Sequence, residues 1–482
     1  MMTRMEKRLE KQNLIKPWIN QLSTKSFVII SIHVLLLVLT VSIDRLDYSG
    51  KIALFAFLSA MTLWITTKIP AGFVAITLIM FIIMMNAAGT ELLYHSLSEQ
   101  VVWLMIGSFI IGEAVKQSGL AERLTRSVCR RSTKKSSVLF GIGSVFFASA
   151  FFIPSTSGRA ALSRPIVNQL GEKLSTKEQR VLAIITPVLI LMSTSATLIG
   201  AGSHLIGVSL LESTSGQTIS YLKWFLWGVP FALVVTLVSF FIIKWCLWPK
   251  GETTEMDVKP EEKTMQRNQL CGGEKKTLIL ISFLIAGWMT ETIHGFDIAF
   301  ITMIGAILVM IPKYGIIRWK EGLAAVSWSL ILFVAAATAL GKVLVDTGVV
   351  HWIENEMLHV LNLFVGAPDW LIVFIILVVT VTSHLYITSH TTRAIIFIPS
   401  LLMFSETIGV NPVAVVFLSL IGMNYCVTFP VSSKALLFFY EEGDISYDAS
   451  NLLKMSAILM PLYILLMMLF YFSYWQWVGM GL

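Results

Sequence analysis

The sequence predicts an all-α polytopic membrane protein of about 11 transmembrane helices plus two re-entrant hairpins, built from an inverted repeat. Three observations carry that prediction. Apolar residues make up 56% of the 482-residue chain, only 13% of residues are charged, and the apolar ones come in blocks of the length that crosses a bilayer. Lysine and arginine concentrate in alternate loops. Two runs, FFIPSTSGRAALSRP (151–165) and HLYITSHTTRAIIFIP (384–399), set arginines at matching places in apolar sequence. A guanidinium in hydrocarbon costs about 3 kcal/mol on insertion scales. Its repetition needs a cause.

The chain begins with a basic segment, 1–26, followed by an apolar run, Phe27–Ile43, that ends in DRLD without the small residues of a signal-cleavage site. This predicts a cytoplasmic tail and a retained first span. Further spans fall at about 52–66, 69–87, 101–120, 181–211, 223–248, 277–294, 297–313, 324–347, 411–440 and 454–478. With the N-terminus inside, the cytoplasmic loops 121–137, 249–276 and 313–320 carry the basic residues, among them Arg123, Arg126, Arg130 and Arg131. The loops 88–100, 212–222, 348–369 and 404–410 then fall outside and contain no Lys or Arg. The C-terminus comes out external, and the expected location is the cell membrane. The net charge of +7 orients spans instead of forming a nucleic-acid face. The cysteines 129, 246, 271 and 426 show no paired metal spacing and read as free thiols.

Two segments do not fit as crossings. The run 138–154 is apolar, yet PSTSGRAALSRPIVNQL after it is too short and polar to span before GEKLSTKEQR begins. It is expected to enter from the cytoplasm, turn near mid-membrane and return; 370–403 does the same from outside, turning at ITSHTTR. Polar backbone at that depth is tolerated only inside protein or against a wet cavity.

The two turns belong to a repeat. Ser155, Arg159 and Pro165 lie 234 residues before Ser389, Arg393 and Pro399, and GEAVKQSG (112–119) and GKVLVDTG (341–348) share glycines seven apart. SATLIGAGSHLIG (195–207) and CVTFPVSSKALLF (426–438) interrupt the next span of each half. Five crossings separate equivalent points, and an odd number inverts the second copy. Inverted repeats with broken helices point to a secondary transporter whose site lies where the repeats meet. Small residues serving helix packing are the alternative; packing alone does not explain the paired arginines.

A helix starting at mid-membrane leaves its first N–H groups free and carries partial positive charge there. Ser155, Thr156 and Ser157 stand before one second arm, and Thr388, Ser389, Thr391 and Thr392 before the other, as N-cap residue types. Such ends bind anions, and the forks of Arg159 and Arg393 suit a dianion. The competing reading pairs Arg159 with Glu113 and Arg393 with Asp346 as structural ion pairs. Arg164 lies farther from its turn and reads as a snorkelling or pairing residue. His390 either binds the anion or carries a proton, or is structural; His204 and His384 read as structural. Glu113, Lys116, Lys342 and Asp346 read as charge pairs or water-lining groups.

The motifs PSTSGRAALSRPIV and TSHTTRAIIFIP resemble the Ser-Asn-Thr signature positions of the divalent anion/sodium symporter family, in the wider ion-transporter superfamily. PSTSGRA is similar to the variant in the branch of 2-oxoglutarate/malate translocators. The resemblance covers most of the chain from the second span on. It implies a homodimer working by an elevator motion, with scaffold at 27–137 and 277–369 and transport-domain halves at 138–248 and 370–482, joined by the cytoplasmic loop 249–276. It implies that Ser155, Thr156, Ser157, Ser389, His390 and Thr391 contact the anion. It also implies sodium as a coupling ion, with cation positions at Thr156 and His390 completed by Thr197, Gly200 and the PVSSK turn containing Ser432 and Ser433. No other cofactor is expected. The departures matter: the family's central Asn is Thr156 here and His390 in the second copy. A nearby arginine repels sodium and supplies its charge permanently, so the chain is expected to depend less on sodium, working as an exchanger or with protons.

The expected function is secondary active transport of divalent anions, di- or tricarboxylates first and sulfate-like anions as the alternative. A channel needs polar stripes along the spans, which are missing. A membrane enzyme needs a catalytic constellation, and no G-x-S-x-G, H-E-x-x-H or CxxC is present.

Overall fold

A computed structural model describes residues 24–67, 69–120, 123, 134–153, 155–249, 270–361, 364–440 and 445–482. The N-terminal tail to residue 23, the basic cluster at 124–133 with Cys129, and loop residues 250–269 lie outside them. The described chain is an all-α membrane protein. Five of its helices are long and apolar enough to cross a bilayer, and a sixth span forms if a pair bent by 45° is taken together.

The first helices are α1 (Thr24–Val41), α2 (Tyr48–Thr66), α3 (Ala71–Met84), α4 (Glu91–Ser98) and α5 (Gln100–Gln117). The bend lies between α4 and α5. The sequence left 88–100 as loop; the helix there escapes a hydropathy scan because ELLYHSLS is amphipathic and short. Next come α6 (Lys135–Ser149) and α7 (Thr156–Gly171), the arms of the first hairpin, then α8 (Thr176–Met192) and α9 (Gly202–Ser215), the two pieces of a broken helix joined by 3₁₀ turns at Ser193–Ala196 and Leu198–Gly200. The long α10 (Tyr221–Leu247) follows.

The second half contains α11 (Gly272–Met289), α12 (Glu291–His294), α13 (Ile298–Met310), α14 (Trp319–Ala325), α15 (Trp328–Asp346) and α16 (Val349–Leu361). Here α16 occupies part of the expected loop 348–369, another polar-faced helix that mean hydropathy hides. The expected second hairpin falls on α17 (Asp369–Thr382) and α18 (His390–Ile408), and α18 is one of the five helices long and apolar enough to cross a bilayer. The second arm runs past 403 to Gly409, whose φ of 75° ends it in the left-handed region that glycine adopts freely. Then α19 (Pro412–Asn424), a turn at Pro430–Ser432 and the short α20 (Lys434–Phe438) form a second broken helix, and α21 (Ala449–Phe470) runs on into a π-helical turn at Tyr471–Trp475.

Local chemistry sets the helix starts. Asp47, Ser220, Asp297 and Asn411 accept backbone N–H bonds as N-caps. Ser175 and Glu178 form a reciprocal capping box, and the Glu178 carboxylate also takes the Lys135 ammonium at 2.9 Å in a buried pair. That pair ties the base of the first hairpin to α8. Outer faces leave Phe27, Leu35, Phe73, Ile279 and Leu465 exposed, the surface that lipid covers.

Packing interlocks the halves. In one group α5 lies on α13 and α3 on α15. In the other, α9 packs on α18 while α7 packs on α20, so the far piece of each broken helix rests on the hairpin arm of the opposite half. Close approach requires Gly228 on α10: a Cβ there would come within 2.2 Å of the Ser195 carbonyl oxygen. The Trp224 indole donates to that same oxygen at 3.1 Å.

Candidate functional site

The two hairpin turns and the two helix breaks face one another. Ser155 begins α7 as its N-cap, its Oγ accepting the Gly158 N–H at 3.2 Å, and Ser389 begins α18 with its Oγ accepting the Thr392 N–H at 3.2 Å. Each cap satisfies one free donor, and the remaining N–H groups of each first turn keep the pole positive. Between the turns lies a cavity of about 420 Å³. The first turn lines it with Ser155, Thr156 and Ser157, and the second with Thr388, Ser389, His390 and Thr391. The breaks add Ala201, Gly202, Ser203, Ser433 and Lys434, and α5 adds Ser108 and Phe109.

All six hydroxyl and imidazole positions expected to touch an anion therefore reach one cavity. The arginines do not line it. Arg159 is 2% exposed and Arg393 0%, and both lie behind the wall. Neither forms the ion pair weighed from sequence. Arg159 donates from Nη1 to Ser193 Oγ at 3.0 Å and from Nη2 to Thr194 Oγ1 at 2.7 Å, at the end of α8. Glu113 pairs instead with Lys116 at 3.4 Å. Arg393 donates from Nη1 to the Tyr425 carbonyl oxygen at 3.3 Å, at the end of α19. Asp346 and Lys342 line a separate cavity of about 490 Å³ with Asp47, Glu91 and Glu99.

The positions expected for cations are spread out. Of them, Thr156, His390 and Ser433 line the cavity. Thr197 and Gly200 are buried in the first break, where the Thr197 hydroxyl donates to the Ala150 carbonyl oxygen at 2.9 Å. Ser432 is 1% exposed, its Oγ accepting the Phe429 N–H at 3.2 Å.

The histidines divide as their surroundings dictate. His204 places its ring nitrogens 3.1 Å from the Thr197 carbonyl oxygen and 3.0 Å from Asn424 Oδ1, bridging the two breaks, and its ring lies against Trp224. His384 sits 2.6 Å from the Val381 carbonyl oxygen and 2.6 Å from Thr428 Oγ1, which continues to Ser456. Both are structural. His390 differs: it faces the cavity, and its Nε2 lies 3.2 Å from the buried Cys426 Sγ.

Residues 20–481 match the sodium:sulfate symporter transmembrane region family. The chain belongs to that family. Relatives of this family member include a protein described as a membrane protein of Cupriavidus necator, 24% identical over 403 residues, covering 79% of this chain and 76% of the relative. A sodium-dependent dicarboxylate transporter, SdcS, of Staphylococcus saprophyticus is 23% identical over 478 residues, 89% of each chain. Its Staphylococcus aureus counterpart is 23% identical over 440 residues, 83% of this chain and 82% of the relative. Among solved structures, the YdaH transporter of Alcanivorax borkumensis superposes with a TM-score of 0.56 at 14% identity, covering 81% of this chain and 89% of that one. That likeness concerns the fold.

Sequence reasoning placed Lys434 in the turn expected to complete a cation site without reading its ammonium as a lining charge of the anion cavity, and it missed Asn424 as a partner of His204. A lysine inside a break in an apolar run was the available signal for the first. Nothing local marked the second, which is 220 residues from its partner.

Proposed function

We propose that the chain is a secondary active transporter of divalent anions, di- or tricarboxylates, working by elevator-type alternating access. One observation carries the reading: two capped helix starts from separate halves open into a single cavity, so two positive poles face one solute. The printed names of the staphylococcal relatives support a dicarboxylate.

The same proposal includes 11 crossings with a cytoplasmic N-terminus and an external C-terminus, an inverted repeat, and a homodimer. Its scaffold is 27–137 with 277–369, and its transport domain 138–248 with 370–482. Matched bonds support the repeat. Thr197 bonds Ala150 in one half and Thr428 bonds His384 in the other, while Arg159 reaches Thr194 and Arg393 reaches Tyr425. The test is uptake of labelled succinate into proteoliposomes. Protein that reconstitutes and takes up no di- or tricarboxylate would sink it.

We propose further that transport depends little on sodium. The C-terminal end of a helix carries partial negative charge, and the two guanidinium groups already sit at the ends of α8 and α19. Replacing sodium by choline should leave most of the uptake in place. Loss of all uptake in choline would show that sodium is required.

A further inference from the structure

The cavity walls present a charge pattern that the two arginines do not supply. Arg159 and Arg393 are enclosed behind the turns. Among the described lining residues Lys434 is the one Lys or Arg, and no Asp or Glu lines the cavity with it. Its side chain belongs to an exposed residue at the first position of α20, directly after the cavity-lining Ser433, whose Oγ accepts the Ala435 N–H at 3.2 Å. Lys434 and Thr156, the first residue of α7, line the same cavity although 278 positions separate them in the chain, and α20 packs on α7. No ion pair among the described residues uses Lys434.

We infer that Lys434 is the contact cation of this cavity, its ammonium holding one carboxylate of a dianion whose other end lies at the helix starts. The inference rests on the transport reading above and deepens it by naming what selects a doubly charged solute. Two helix poles offer about half an elementary charge each. They match a monoanion by themselves, and the ammonium brings the cavity to the charge of a dianion. The arginines contribute field from behind the wall and make no contact. Lys434 is therefore the specificity-determining residue for charge, while the serine and threonine hydroxyls set position.

The test compares succinate with succinamate, which has the same chain length and one charge fewer, as inhibitors of labelled succinate exchange in proteoliposomes. Wild-type full-length protein should prefer succinate. K434M should weaken succinate by about tenfold or more, the range of a lost hydrogen bond to a charged group, and leave inhibition by succinamate unchanged. K434R should recover the preference. Should K434M elute aggregated on size exclusion, K434Q carries the same comparison. A variant with the wild-type ratio, or one that loses both compounds equally, overturns the inference and leaves the transport reading standing. Wild-type protein that is folded and takes up no succinate removes the dicarboxylate reading and this inference together.

Discussion

Arg159 Nη2 donates to Thr194 Oγ1 at 2.7 Å, joining the first hairpin to the end of α8 across 35 residues of chain. Arg393 makes the equivalent reach to Tyr425. A buried charge held by hydroxyls and a carbonyl, without a carboxylate, costs folding energy that a well-packed apolar side chain does not. R159M should therefore unfold no earlier than wild type in the absence of ligand. It should also lose part of the stabilisation of about 2.7 kcal/mol expected from a dianion at a hundred times its dissociation constant, because the guanidinium adds its field to the cavity without touching the solute. Differential scanning fluorimetry with and without succinate reads both. A lowered melting point with the ligand shift intact would make Arg159 purely structural.

The partner side of that bond predicts the opposite sign. T194V keeps the volume but leaves the guanidinium without its shorter bond, costing about 1.5–3 kcal/mol. Chemical denaturation of the purified protein measures the loss, and an unchanged midpoint contradicts the bond.

The two caps should behave alike. S155A and S389A each remove an N-cap bond at a helix start facing the cavity, worth about 1 kcal/mol. Both should also weaken anion binding, because each frays a positive pole. Titration of succinate against intrinsic fluorescence checks this; one variant binding as wild type would confine the site to the other half.

At Gly228 the restraint is steric. G228A pushes a methyl group to 2.2 Å from the Ser195 carbonyl oxygen and disturbs the Trp224 bond to it. Overpacking of this kind costs about 1–3 kcal/mol. Thermal unfolding should show the loss, and uptake should fall because the 193–196 turn is the one that meets Arg159 through Ser193 and Thr194. Wild-type stability in G228A would mean that α10 can shift freely.

Much of the architecture was legible because it rests on local chemistry. The apolar blocks, the Ser155 and Ser389 caps and both helix breaks are written in short stretches whose hydropathy and capping preference need no distant partner. The polar-faced helices at Glu91–Ser98 and Val349–Leu361 were not legible by length and hydropathy, since each mixes apolar and polar residues over few turns. The basic pattern in the loops carries only an expected orientation and does not reveal these helices.

The sequence by itself determined that this is an all-α membrane protein whose two polar turns need partners inside the protein, because lipid cannot satisfy their backbone groups. Tertiary structure decided which cations enter the cavity between them. Arg159 and Arg393 turn away from it because their acceptors, Thr194 and Tyr425, lie 35 and 32 residues farther along on other helices. Lys434 faces it because α20 docks on α7. The direction of a long charged side chain follows the partners that packing delivers, and that information resides in no single segment of the chain.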